Sequence, residues 1–154
     1  MSVFMADEQT MSVNIASLRK LATSVLEAEG CPADSEVSVM LVGDSEMADY
    51  NKRFLDRQGP TDVISLPIEE LAPGRPPRAT PAGPPPMLGD VIIAPAYVRN
   101  QAESLGVDFQ DEVALMVVHG LLHLLGYSHA GDEDAERMEQ RERQILEAAG
   151  RKRR

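Results

Sequence analysis

Apolar runs and apolar–polar alternation predict four strands in this chain. Residues 2–6 form a short apolar run that ends at two acidic residues, and residues 36–42 alternate apolar and polar side chains. Residues 62–66 and 88–93 are rich in branched apolar side chains. These patterns are typical of strands, because successive side chains on a strand point to opposite faces. Pro67, at the end of the third run, limits the ladder of hydrogen bonds there.

Apolar residues at helical spacing predict five helices. The first begins at Ile15, with Asn14 as its cap, and stops before Gly30. The other four span residues 45–55, 96–105, 109–125 and 133–148. The helix over residues 109–125 has almost no polar side chain after Glu112, so we expect it to lie through the core rather than on the surface.

The length and the proline distribution indicate one domain with an internal excursion. The chain has 154 residues, of which 43% are hydrophobic, enough for one ordinary core. Residues 71–87 are rich in proline and cannot form regular structure, and a strand pattern resumes directly after them. We therefore predict a single domain over residues 1–150, with an irregular surface segment at 71–87 and a basic tail at 151–154.

Charge, apolar runs and cysteine content argue against a general nucleic-acid binder, a membrane protein and a disulfide-stabilised protein. The net charge of −10 gives no general electrostatic reason to bind nucleic acid, so any such site must be a local patch. No signal peptide or membrane span is recognisable, which predicts a cytoplasmic protein that does not bind membranes. Cys31 is the only cysteine, so we expect it to be a small buried residue with no disulfide partner.

All three histidines of the chain fall in the segment HGLLHLLGYSH, which starts at His119. Residues four apart on a helix share a face, so the imidazoles of His119 and His123 can meet at one point. Gly126 can end the helix in the left-handed conformation and bring His129 back toward the same point. The spacing therefore predicts a metal site with three histidine ligands.

Three imidazoles without a cysteine suit zinc, with nickel, copper or cobalt as competitors. Zinc prefers four ligands, so we expect one ion with water in the fourth position, which is typical of a catalytic site and of hydrolysis. Histidines that merely pack in the core are the alternative. It is disfavoured because burying unpaired imidazoles costs a few kcal/mol.

The spacing of the histidines and Gly126 equals that of the metzincin proteases, in which a glutamate general base follows the first histidine. Here that position is Gly120. A metal-dependent peptidase of that mechanism is therefore disfavoured.

The same segment resembles the signature of the YbeY endoribonuclease family, also called the rRNA maturation factor family. Two further blocks agree with that family: PTDVISLP from Pro60, preceded by Asn51 and Phe54, and LGDVII from Leu88. The resemblance implies an α+β fold, in which a small mixed sheet of about four strands is packed by helices. The metal site then lies on a core helix and the turn after it.

The resemblance also implies a zinc-dependent endoribonuclease that is selective for single strands. Its partners would be ribosomal RNA and the small ribosomal subunit, and its role would be 3′-end maturation of that RNA and ribosome quality control.

Two positions depart from the family pattern. The chain has Leu55 where the family has an arginine, which leaves Arg57 as a candidate for contacting phosphate, and Ser128 where the family has an aspartate beside the last histidine. Arg57 and Ser128 are therefore the candidate catalytic residues, and the general base stays unassigned. Arg57, Thr61 and Ser65 are the candidate substrate-binding residues, although Thr61 and Ser65 fit a turn or a strand bridge equally well.

Two alternatives remain open. The loss of the family arginine and aspartate is compatible with a ribosome-assembly binding factor whose metal is mainly structural. The four basic residues of the tail, 151–154, either neutralise phosphates or are only solvated.

Overall fold

The computed structural model describes all residues from 1 to 154. Its elements follow in the order β1 (Ser2–Glu8), α1 (Ile15–Ala28), β2 (Glu36–Val42), α2 (Asp44–Leu55), β3 (Val63–Pro67), β4 (Met87–Ile93), α3 (Pro95–Leu105), α4 (Phe109–Leu124) and α5 (Asp132–Ala148). The fold is α+β, as expected, with five helices and one four-stranded mixed sheet. None of the helices is both long and apolar enough to cross a membrane.

The strands lie in the order β1-β2-β4-β3. The β1–β2 and β2–β4 pairs are parallel, and each of these strands reaches the next through a crossover that contains a helix. β3 pairs with β4 antiparallel, and Pro67 opposite Gly89 is the last pair of that ladder. Proline is tolerated there because β3 is an edge strand.

Helix α4 lies through the main core between the sheet and helices α1, α3 and α5. Its apolar side chains are buried on all sides, as the lack of polar residues predicts. On the opposite face of the sheet, Met47 of α2 packs with Ile64 and Ile92 in a smaller cluster. The sheet is therefore covered by helices on both faces, and α4 packs against one of them.

The predicted elements agree with the structure within two residues at most ends. β1 extends to Glu8, two residues beyond the predicted end, because its pairing with β2 continues to the register Glu8↔Val42. Residues 71–86 of the proline-rich segment have no regular structure apart from one isolated bridge between Ala72 and Arg75, whereas the last predicted residue of the segment, Met87, begins β4 because it pairs with Glu36 of β2. Cys31 is buried and unpaired, as predicted.

Candidate functional site

The three histidines come together at one end of α4. The Nε2 atoms of His119 and His123 are 3.1 Å apart, one helical turn from each other on the same face. Gly126 then adopts φ +97°, and a side chain there would lie 2.1 Å from the carbonyl oxygen of Leu71. The chain therefore turns sharply at Gly126, and the ligand atoms of all three histidines, including His129, lie within 4.8 Å of one another.

The outer nitrogens of two imidazoles are both occupied by acceptors. Nδ1 of His119 lies 2.6 Å from Oε2 of Glu142, and Nδ1 of His123 lies 2.9 Å from the carbonyl oxygen of Tyr127. A carboxylate and a carbonyl oxygen can only accept hydrogen bonds. Each ring, when neutral, therefore donates its Nδ1–H to that partner. Both Nε2 atoms then present lone pairs to each other at 3.1 Å. Two such acceptors at this distance need either a shared proton or a metal cation between them.

The pKa of His123 favours its neutral imidazole. Burial, and then the neighbouring His119, lower this pKa from 6.5 to about 4. Burial by itself raises the pKa of Glu142, but its hydrogen bonds and charge interactions with His119 and Arg153 outweigh that effect and leave the pKa below its usual value. The carboxylate beneath His119 is therefore ionised, and the His123 ring is neutral at pH 7.

The geometry fits a tetrahedral divalent ion. Two nitrogen ligands of a tetrahedral zinc ion, each about 2.0–2.1 Å from the metal, are about 3.3 Å apart. The observed separation of 3.1 Å between the Nε2 atoms of His119 and His123 is close to that value, and the ligand atom of His129 lies within 4.8 Å of both. These three histidines are the residues that could hold a metal, and the donor set is all nitrogen.

The histidines lie in a groove of about 550 Å³ between α4, the β3 edge and the tail. Besides the histidines, it is lined by Leu55, Arg57, Thr61, Asp62, Val63, Ile64, Ser65, Pro67, Leu115, Met116, Glu142, Arg153 and Arg154. The side of the site away from the core is thus open to a substrate.

The structure places the three predicted substrate-binding residues, Arg57, Thr61 and Ser65, along this groove. Arg57 is exposed and has no side-chain partner, so its guanidinium is available to an anion. The hydroxyl of Ser65 donates to the carbonyl oxygen of Gly120 at 2.9 Å, which ties β3 to α4. The hydroxyl of Thr61 lies 3.3 Å from Oδ1 of Asp62, which also accepts the Val63 N–H at 2.8 Å.

Ser128 is not brought into the groove. Its hydroxyl oxygen accepts the backbone N–H of Ala130 at 3.2 Å, and its side chain faces a separate small depression beside Gly126 and Tyr127. Leu55, at the position of the family arginine, does line the groove, together with Arg57. Of the two candidate catalytic residues, only Arg57 therefore lines the groove; Ser128, although it precedes His129 in the chain, does not.

Gly120 faces the sheet and not the groove. A Cβ atom there would lie 2.5 Å from Cγ1 of Val91 and 3.3 Å from Cγ2 of Val63. No larger side chain fits between α4 and the sheet at this position. The absence of a glutamate next to His119 thus has a packing reason, and this site is built differently from that of a metzincin.

Sequence reasoning missed two buried carboxylates beside the groove. Glu142 has a side chain that is only 1% exposed and contacts both His119 and Arg153, and the Glu112 side chain is 2% exposed. A signal did exist for Glu142, since it lies between Met138 and Ile145 on the apolar stripe of α5. Burying an unpaired charge is costly, so a charged residue on the buried face of an amphipathic helix predicts an ion-pair or hydrogen-bond partner.

The chain as a whole matches a known protein family. The profile described as Endoribonuclease YbeY matches residues 4–150 of the chain. The chain belongs to the endoribonuclease YbeY family. A relative named Endoribonuclease YbeY from Acidothermus cellulolyticus is 45% identical over 142 residues, which cover 89% of this chain and 84% of the relative. The relative of that name from Thermobifida fusca is 40% identical, over 95% of this chain and 92% of the relative.

A solved structure supports the fold. The solution structure of a protein from Thermotoga maritima superposes with a TM-score of 0.64 and 24% sequence identity, over 96% of this chain and 88% of that one. The fold and the YbeY family expected from the sequence motifs are therefore both confirmed.

Proposed function

We propose that this protein is a metal-dependent endoribonuclease that cleaves single-stranded RNA. One zinc ion would be held by His119, His123 and His129, with water in the fourth position. The observation that carries the proposal is the 3.1 Å approach of two Nε2 lone pairs whose rings are fixed from behind by Glu142 and the Tyr127 carbonyl. Membership of the YbeY family supports RNA as the substrate.

A bound zinc ion would supply a Lewis acid and lower the pKa of a coordinated water toward about 7. The residues of the chain have separate tasks around that chemistry. Glu142 holds the His119 ring in the tautomer that leaves Nε2 unprotonated. Arg57 offers a charged hydrogen-bond donor to a phosphate in the groove. Ser65 and Thr61 line the part of the groove beside β3 along which the RNA would lie.

The cellular role that we propose is maturation of the 3′ end of small-subunit ribosomal RNA and ribosome quality control in the cytoplasm. The motif resemblance described above supports that role. The acidic protein, with a net charge of −10, would rely on the few cations of the groove for its contact with RNA.

A second candidate function is a ribosome-assembly binding factor with a mainly structural metal. Leu55 supports it, because this apolar side chain lines the groove where the family has an arginine. A metal-dependent peptidase has less support, since Gly120 is packed against Val91 and leaves no room for a general base next to His119.

Cleavage of a labelled single-stranded RNA oligonucleotide tests the proposal. We expect the zinc-loaded protein to cut it and to leave the matched duplex intact, and we expect His119→Ala to lose at least about a hundredfold in rate. Glu147→Gln, an exposed change on α5, serves as the matched control and should cleave normally.

Equal rates for the wild type and His119→Ala would overturn metal-centred cleavage. Absence of cleavage by the zinc-loaded wild type, combined with binding to the small ribosomal subunit, would favour the assembly factor instead.

A further inference from the structure

The basic tail, residues 151–154, is not merely solvated. Arg153 and Arg154 both fold back into the groove of the histidines, and each is anchored through its Nε atom on a buried carboxylate. Arg153 donates to Glu142 at 3.0 Å, and Arg154 donates to both oxygens of Glu112 at 3.0 and 2.9 Å. The tail thus brings two fixed positive charges to a groove of an otherwise acidic protein.

Arg153 and Arg154 differ in how many of their guanidinium N–H groups are free to bind a ligand. The guanidinium of Arg153 is fully engaged, since it also donates to the carbonyl oxygen of Arg154 at 2.7 Å and lies 3.7 Å from Glu139. Its side chain is 13% exposed. The Arg154 side chain is 37% exposed, and its two Nη groups have no partner.

Arg154 lies too far from the histidines for a single phosphate to contact both. Glu112, which holds Arg154, lies two helical turns before His119 on the same face of α4, a rise of about 10 Å along the axis. Leu115 and Met116 line the groove between them. A strand that reached both points would therefore present different phosphates to Arg154 and to the histidines.

We propose that Arg154, oriented by Glu112, is a binding site for an RNA backbone phosphate that flanks the scissile one. This inference rests on the proposed function. A buried carboxylate on the Nε side leaves the Nη edge of a guanidinium directed outward, and that edge matches two phosphate oxygens at once. Arg57 is the other groove cation without a partner, so the two arginines together would hold the strand across the histidines.

Salt-dependent binding of a single-stranded 2′-O-methyl oligoribonucleotide to the zinc-loaded protein tests this site. Arg154→Ala should raise the Kd about tenfold, the usual effect of losing one charged hydrogen-bonded contact. It should also reduce the slope of log K against log salt by about 0.7, the value for one phosphate of a single strand. On a cleavable oligonucleotide, we expect a higher KM with little change in kcat.

Arg151→Ala is the matched control, because Arg151 belongs to the same tail but pairs with Asp111 and Ser17 outside the groove. It should bind like the wild type. Arg154→Lys keeps the charge and should keep the salt slope, which guards against a loss caused by misfolding.

The outcomes separate this inference from the proposed function. Wild-type binding with an unchanged Kd and slope in Arg154→Ala would overturn the Arg154 site and leave the endoribonuclease proposal standing. Equal losses in Arg154→Ala and Arg151→Ala would also overturn it, because they would indicate a general effect of charge. Failure of the wild type to bind single-stranded RNA would overturn the proposed substrate class itself.

Discussion

Nδ1 of His119 on α4 lies 2.6 Å from Oε2 of Glu142 on α5. The second oxygen of the same carboxylate accepts from Arg153 at 3.0 Å, so Glu142 is fixed from both sides while only 1% of its side chain is exposed. A carboxylate behind a metal-binding histidine sets the tautomer and the orientation of the ring. The last helix and the tail therefore contribute to a site whose histidines all come from α4 and the turn after it.

Glu142→Gln should weaken zinc binding by about 10- to 100-fold, the usual cost of losing such a partner of a metal ligand. The amide can still contact the ring but no longer carries the charge that favours Nδ1–H. Competition with a chromophoric chelator measures the affinity. Glu147→Gln, the same chemical change at an exposed position of α5, should leave the zinc affinity unaltered. Equal affinities for all three proteins would show that Glu142 does not contribute to metal binding.

Gly120→Ala should destabilise the protein by about 1–3 kcal/mol, because its methyl group would overlap Cγ1 of Val91, 2.5 Å away. Urea unfolding gives the free energy. Adding Val91→Ala removes the overlapping atoms, so the double variant should lose less stability than the sum of the two single variants. Simple additivity would show that the contact with Val91 is not the reason for glycine at this position.

The metal-free protein should lose stability as the pH falls from 7 toward 4. The pKa of His123 is lowered from 6.5 to about 4 by burial and by His119, so between these values the unfolded chain binds a proton that the folded protein does not. The lowered pKa of Glu142 adds to the loss at the acid end of that range. Urea unfolding at several pH values, with His123→Gln as the comparison, should show a shallower dependence in the variant; parallel curves would contradict the assignment.

Cys31 should be almost inert in the folded protein. Burial, and then the charge of Glu29, raise the pKa of its thiol to about 11, so very little thiolate is present at pH 8. We expect alkylation by iodoacetamide, followed by mass spectrometry, to be at least about a hundredfold slower than in urea. Similar rates in both states would mean that the thiol is accessible.

Much of the fold follows from local patterns. The bounds of β2, Glu36–Val42, match the alternation of apolar residues in that segment, because one strand face is buried and the period of two is then strict. The path of α4 through the core follows from its lack of polar residues. The order of the strands and the antiparallel pairing of β3 depend on contacts between distant segments, which no local pattern contains.

The site was predictable where ligands share one stretch of chain. The i, i+4 pair of His119 and His123 and the glycine turn before His129 determine how those rings meet. Glu142 contacts His119, 23 positions away in the chain, and Glu112 contacts Arg154 of the tail, 42 positions away. Such pairings arise only when helices pack, so the tail was predicted to be basic but its contacts were not.

The proposed site holds one metal ion with three imidazoles and leaves one position for water. X-ray absorption at the zinc edge, combined with elemental analysis of the purified protein, measures the metal content and the coordination directly. We predict about one zinc per chain, with three nitrogens and one oxygen at about 2.0–2.1 Å. A protein that binds no stoichiometric metal, or a zinc ion enclosed by four protein ligands, would contradict it.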